Sequence, residues 1–128
     1  MEGLVAALTK QVAVLRTRYK LTVEADLGEE PNLSQETKHM LYRVAQEALH
    51  NIVKHARATI VNLQLAGEEN EFILEVRDNG RGFNPADPFP GHLGLRSMHE
   101  RVTRMGGTLA IESVPGQGTC VGVRIPIV

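Results

Sequence analysis

The stretch Asp78-Asn79-Gly80-Arg81-Gly82-Phe83 follows directly on Phe72-Ile73-Leu74-Glu75-Val76-Arg77, and the junction between the two decides how the chain is read. Side chains on a strand alternate faces with a period of two. Phe72, Leu74 and Val76 therefore share one face, and Asp78 continues their parity. A carboxylate is thereby aimed at the side where apolar residues bury, and a charge placed there requires a partner. Gly80 and Gly82 then free the backbone to turn or to approach a ligand closely. Taken alone, the stretch equally describes a strand ending in an ordinary Asp-Asn-Gly turn, so the rest of the chain has to decide.

The 128 residues suit one domain, 1–128, with a real core. Hydrophobic residues make up 42% and aromatics only 4%, so the core is aliphatic. The formal net charge of −1 gives no basic surface for direct nucleic-acid binding. The single Cys120 forms no internal disulfide and fits a reducing compartment. No apolar run approaches the roughly 18 residues of a membrane span, and the N-terminus lacks the apolar core of a signal peptide.

Moving outward, Leu4, Leu8, Val12 and Leu15 recur at helical spacing. Residues 3–17 read as an amphipathic helix that either packs on this domain or continues an upstream helix. Tyr19, Leu21, Val23 and Ala25 alternate with polar residues as a strand. Ser34 is the expected N-cap of a helix running to about His55, with Glu36 in its first turn. Along one edge of that helix's apolar face Glu47, Asn51 and His55 form a stripe, with Lys54 beside it. Asn51 falls angularly between Met40 and Val44, so substantial burial is expected, and a mid-helix Asn there needs a reason.

Thr59, Val61, Leu63 and Leu65 give a strand that Gly67-Glu68-Glu69-Asn70 turns into the one ending at Asp78. Residues 79–93 show no period and read as a long loop closed by Gly91-His92-Leu93-Gly94. A third helix follows through Leu95, Met98, Val102 and Met105, ended by Gly106-Gly107. The last hairpin is Thr108–Val114 and Thr119–Ile125, and Thr119 shares the inward parity of Val121 and Val123. The order helix, strand, helix, hairpin, loop, helix, hairpin is an α+β plan with helices on one face of a mixed, mostly antiparallel sheet.

Three polar features interrupt this plan: the Glu47/Asn51 helix edge, Asp78 with its glycines, and the glycine-rich start of the third helix. A helix N-terminus attracts phosphate, and Gly91 and Gly94 let phosphate approach the backbone. Mg²⁺ takes hard oxygens, often only one or two from protein, which the Asn51 amide and the Glu47 carboxylate supply. A buried Asp78 accepts a hydrogen bond from an exocyclic amine such as that of adenine. Base, metal and phosphate sites of a nucleotide pocket are thus all represented.

Taken together these segments resemble the ATP-binding domain of sensor histidine kinases, within the gyrase, heat-shock chaperone, histidine kinase and mismatch-repair ATPase superfamily. Glu47-Ala48-Leu49-His50-Asn51-Ile52-Val53-Lys54-His55-Ala56 is similar to its N box, residues 78–83 to its first glycine box, and Gly91-His92-Leu93-Gly94-Leu95 to its second. Gly106-Gly107-Thr108 and Gly116-Gln117-Gly118-Thr119 match its closing strands. Tyr42–Leu49 and Leu95–Arg101, with the short loop between the glycine boxes, resemble the subgroup that pairs with helix-turn-helix response regulators.

The resemblance implies a Bergerat-type two-layer sandwich of a five-stranded mixed sheet and three helices. It implies that Asp78 reads the adenine amine with Thr119 assisting through water, and that Asn51, with Glu47, serves Mg²⁺. Gly80, Gly82 and Phe83 shape the pocket floor, residues 83–93 form a lid, and Gly91, His92, Gly94 and Leu95 close it over the nucleotide. Glu47 is the catalytic residue near the γ-phosphate, and Lys54 and His55 contact phosphates.

His39, His50, His55, His92 and His99 do not include a histidine followed by an acid on an upstream helix. The resemblance therefore places the phosphoacceptor on a separate dimerisation and histidine-phosphotransfer domain, with a response regulator downstream. It also implies a cytoplasmic, monomeric ATP-binding domain, in a full-length protein that is either soluble or anchored in the inner membrane. Two alternatives share the fold: an anti-sigma-type serine kinase, against which the Tyr42–Leu49 string argues, and a nucleotide-free interaction module, against which the intact Asn51, Asp78, Gly80, Gly82 and Gly94 argue.

Overall fold

A computed structural model describes residues 2–84 and 90–127, with backbone only for 90–96. The chain runs α1 (Leu4–Arg18), β1 (Thr22–Asp26), α2 (Gln35–Asn51), a π-helical turn (Ile52–Ala56), β2 (Ile60–Glu68), β3 (Glu71–Asp78), α3 (Pro90–Arg104), β4 (Thr108–Val114) and β5 (Gly118–Pro126). The strands form one sheet in the order β1-β2-β3-β5-β4. Only β1 and β2 pair in parallel, with α2 lying between them in sequence; the other pairs are antiparallel. This is the expected α+β sandwich of five strands and three helices.

Parity builds the core. Val61, Leu63, Leu65, Leu74, Val76, Val121, Val123 and Ile125 bury on the helix-facing side of the sheet. Leu4, Leu8, Val12 and Leu15 of α1, and Met40, Leu41, Val44, Ala45, Ala48 and Leu49 of α2, meet them. Each fully buried aliphatic side chain contributes about 1.5–3 kcal/mol. On the opposite face the Cys120 thiol donates to a Glu75 carboxylate oxygen at 3.3 Å. Burial, and then that carboxylate, push the thiol up to about 11, so it stays protonated and inert at neutral pH.

Several boundaries differ from the pattern reading. Tyr19–Leu21 is not strand: α1 runs to Arg18, and Lys20 takes a left-handed conformation (φ 57°) that ends the helix. The Leu21 N–H then reaches back to the Leu15 carbonyl at 3.2 Å, so β1 starts only at Thr22. The β2–β3 turn is tighter than four residues, since Glu68 pairs with Glu71 and only Glu69-Asn70 turns. Ser34 caps α2 as expected, its hydroxyl accepting from the Thr37 N–H at 3.1 Å. The α-helix nevertheless stops at Asn51 and continues to Ala56 as a π turn, ended by left-handed Arg57.

The long loop is also shorter than expected, because α3 begins at Pro90. Proline at a first helical position presets φ and lacks only an N–H that would go unused there. Gly91 and Gly94 therefore lie inside a helix that tolerates them at about 1 kcal/mol each.

Glu30, in the β1–α2 connection, fastens the helical layer at its start. Its carboxylate accepts the Leu4 N–H at 2.9 Å and the Val5 N–H at 2.8 Å, capping α1 from a distance in sequence. The buried Lys38 ammonium of α2 meets the same group at 2.8 Å. Burial pushes the Glu30 carboxyl up, but Lys38 and the two N–H donors outweigh it and hold it below its ordinary value. A carboxyl lowered by folding stabilises above the ordinary carboxylate range, and the contribution is lost as pH falls through the folded value. Glu30→Ala is expected to cost about 1–2 kcal/mol in urea unfolding at neutral pH, the scale of a lost cap and ionic hydrogen bond. The gap from the parent protein should close in the same titration run at acid pH.

Candidate functional site

Asp78 ends β3, opposite Val61 of β2 and Thr119 of β5. It is 6% exposed. Its Oδ1 accepts the Gly80 N–H at 2.7 Å, and the Thr119 N–H also bonds to the carboxylate. Burial pushes the carboxyl up; the two N–H donors pull it back without cancelling the shift. A carboxylate is thus held in low dielectric, where it accepts strongly from a ligand N–H.

The residues after Asp78 are stitched into both flanks. Asn79 Oδ1 accepts from the Thr59 N–H at 2.9 Å and the Ile60 N–H at 3.0 Å, and its Nδ2 donates to Thr59 Oγ1. The Arg81 N–H donates to the Ala56 carbonyl at 2.7 Å, and the Arg81 carbonyl accepts from the Gly116 N–H at 2.6 Å. The Phe83 N–H donates to Ser113 Oγ at 2.8 Å. Close approach requires glycine here: a Cβ on Gly80 would stand 2.2 Å from the Ala56 oxygen, and one on Gly82 2.2 Å from the Val114 oxygen. Gly82 also has φ 61°.

The structure therefore joins Asp78, Gly80, Gly82, Phe83 and Thr119 into one hydrogen-bonded and packed cluster. Glu47 and Asn51 stand one turn apart on α2, both half-buried. Asn51 is less buried than its angular position implied. Their stripe does not run straight on to His55, because the π turn changes the rotation per residue. His55 is half-buried and Lys54 exposed.

Glu47 lines a groove of about 350 Å³ along the outer side of α2, with Leu15 of α1, Arg43 and His50 of α2 and Met98 of α3. Asn51, Asp78 and Thr119 do not line that groove. Gly91, His92, Gly94 and Leu95 fall in the first turns of α3, where side chains lie outside the described residues. Of the expected lid, residues 85–89 lie outside the described residues as well.

Pattern reading passed over two members of the cluster. Ser113 is buried, and its hydroxyl touches Phe83, Gly118 and Thr119. The signal was available, since Ser113 continues the parity of Leu109 and Ile111. Asn79 was readable only as a turn residue, because its partners lie 19 and 20 residues away.

Residues 36–128 match the family model described as histidine kinase-, DNA gyrase B-, and HSP90-like ATPase. The chain belongs to this family. It is 33% identical over 126 residues to the sensor histidine kinase LiaS of Bacillus subtilis, covering 98% of this chain and 35% of that one. To the histidine-protein kinase/phosphatase DegS of Brevibacillus brevis it is 32% identical, covering 98% and 33%. The chain thus spans about a third of the length of these curated relatives. Among solved structures, the blue-light activated histidine kinase EL346 of Erythrobacter litoralis superposes with a TM-score of 0.79 at 25% identity, over 98% of this chain and 42% of that one.

Among the described residues no group of three or more His, Cys, Asp or Glu is placed to hold a metal ion. Glu47 and Asn51, four residues apart on α2, carry the carboxylate and amide oxygens of the kind Mg²⁺ takes, an ion that commonly uses one or two protein ligands and completes its shell with water and phosphate.

The upward shift of Asp78 has a signed consequence. A carboxyl raised by folding favours the fold below the ordinary carboxylate range, and that advantage is lost as pH rises through the folded value. Asp78→Asn should therefore leave the ligand-free protein at least as thermally stable as the parent at neutral pH. The comparison should shift towards the parent as the melts are repeated at acid pH.

Proposed function

We propose that this chain is the Mg-ATP-binding catalytic domain of a sensor histidine kinase. The carrying observation is the buried Asp78 carboxylate, held by two backbone N–H groups and raised by desolvation. Such an acceptor suits the exocyclic amine of adenine, with Thr119, its cross-strand partner, beside it. Gly80, Gly82 and Phe83 form the floor under the base and ribose. Asn51 and Glu47 hold Mg²⁺, which neutralises charge on the phosphates when bound. Lys54, His55 and the residues Gly91, His92, Gly94 and Leu95 at the start of α3 serve the phosphates and the lid.

Phosphoryl transfer demands positioning and charge neutralisation more than covalent chemistry from the protein. Glu47 borders the open groove between the helices, so it orients an acceptor arriving from outside the chain. That acceptor is a histidine on a separate dimerisation and phosphotransfer domain, with a response regulator receiving the group afterwards. The similarity to the sensor histidine kinase LiaS and the histidine-protein kinase/phosphatase DegS supports this reading. A cytoplasmic site of action accords with the need for ATP. Among the described residues no helix is long and apolar enough to cross a membrane.

Calorimetric titration with a non-hydrolysable ATP analogue and Mg²⁺ is expected to show binding that Asp78→Asn weakens at least tenfold, the scale of a buried ionic hydrogen bond. Asn51→Ala should remove the dependence on Mg²⁺. Absence of heat and of thermal stabilisation at millimolar ligand would reject the proposal. Incubated alone with γ-labelled ATP, the chain should take up no acid-labile label.

A further inference from the structure

The formal net charge of −1 conceals a separation of charge between the two layers. The three α-helices hold Glu36, Glu47 and Glu100 as their only acids, among many more lysines and arginines. On the open side of the sheet the balance reverses, with Glu24, Glu71, Glu75 and Glu112 against Arg77 and Arg124. A body approaching the helical side therefore meets a positive field. On that side lies the groove of about 350 Å³ that α1, α2 and α3 line together. Leu15, Leu49 and Met98 give it a buried apolar floor. Val14 and Tyr19 of the α1 side line it too, 43% and 45% exposed, two of the large apolar side chains the fold leaves in solvent. Exposed Arg43 and His50 of α2 add charge and N–H donors, and among the described residues their side chains have no ion-pair or hydrogen-bond partner. Glu47 is the only acid among the described lining residues, and it stands at the edge, since Asn51 one turn on no longer lines the groove.

An apolar floor with exposed apolar side chains beside it and unpaired cationic or N–H groups around it is the pattern of a protein contact. A lipid surface meets the ridges of a protein, whereas here the apolar atoms lie at the bottom of a groove. An extended peptide needs a sheet edge for its backbone, and these walls are helices whose backbone groups bond internally. A helix satisfies its own backbone and offers apolar side chains at i, i+4 and i+7, so it asks only side-chain contact of the groove. We propose that the groove is a docking site for an acidic amphipathic helix of a partner protein. Its apolar stripe lies on Leu15, Leu49 and Met98 between Val14 and Tyr19, and its carboxylates pair with Arg43 and His50. Seated there, it covers Glu47 from a groove to which Asn51, Asp78 and Thr119 do not contribute. It thereby governs what reaches that carboxylate without occupying the nucleotide site. The docking surface stands without the nucleotide reading; its control over phosphoryl transfer through Glu47 rests on that reading.

The test pans the 128-residue protein against a displayed library of amphipathic helical peptides. Their stripe varies among Leu, Ile, Phe and Met, and their flanks among Glu, Gln and Lys. Selected peptides should be rich in Glu, and twins with Lys in place of Glu should bind about tenfold more weakly. Arg43→Glu should weaken the Glu-rich peptides about tenfold and narrow or reverse the preference between twins. Val14→Ser should weaken both twins several-fold. Both positions are exposed, so neither change threatens the fold, and general damage cannot shift a preference between two peptides. Failure to select any peptide, selection of Lys-rich ones, or affinities that ignore both substitutions overturns the proposal. So does sedimentation of the parent with phosphatidylserine vesicles that the selected peptides do not compete away and Arg43→Glu abolishes, which gives the face to lipid. A non-hydrolysable ATP analogue is titrated alongside. Displacement of the peptides by nucleotide overturns the proposal, whereas peptide binding by a parent that binds no nucleotide rejects the proposed function and leaves the docking surface standing.

Discussion

Keeping one carboxylate out of water while leaving it charged enough to accept from a ligand constrains almost everything around it. Asp78 can be tolerated in the core layer only because Gly80 and Thr119 deliver backbone N–H groups to it. Those donors are in place only because the chain doubles back after β3 and because β5 pairs with β3 in a fixed register. The doubling back leaves no room for side chains at Gly80, Gly82 or Gly118. The local cost of the buried charge is thus offset by a backbone arrangement that itself needs the sheet and the helix end to be rigid. Unlike a core leucine, a buried carboxylate is disfavoured by desolvation, and the proposed ligand role of Asp78 accounts for its position.

The helical layer meets this demand from the other side. The π turn after α2 supplies the Ala56 carbonyl against which Arg81 docks, while Glu30 and Lys38 secure the start of α1 to the start of α2. The three helices cover one face of the sheet and leave a groove along α2 whose wall includes Glu47. The base site proposed at Asp78 is consequently tucked under the strand ends, whereas Glu47, proposed to serve phosphoryl transfer, borders the groove. The division suits a reaction in which one participant is bound tightly by this chain and the other is delivered by a neighbour.

Much of this was legible in residue order because facing is encoded by period. The alternation through Phe72, Leu74 and Val76 exposed Asp78 as inward, Leu4 to Leu15 announced the buried stripe of α1, and Ser34 marked the start of α2. Period says which way a side chain points but not what backbone it will meet. The π turn ends at Ala56, whose carbonyl takes the Arg81 N–H, a tertiary bond that no local pattern reveals. Pro90 and two nearby glycines imitate a loop, although proline is at home in a helix's first turn. Asn79 resembled a turn residue for want of any sign that its amide bridges to Thr59. Ser113 was hidden by its ordinariness, a small hydroxyl on a strand whose value comes from three neighbours gathered from separate segments.

The π turn bears on how this sequence can vary. A π turn is an α-helix that has accepted one additional residue. Removing a residue between Asn51 and Ala56 would return the helix to regular winding at no local penalty. It would also rotate the Ala56 carbonyl by about 100° and draw it back by about 1.5 Å. Arg81 would then find no acceptor, and Gly80 would lose the surface it is shaped to fit. Substitutions in this segment are a matter of chemistry, but its length is a matter of register. The five residues act as a spacer whose count, more than its composition, ties the helix to the glycine-rich turn.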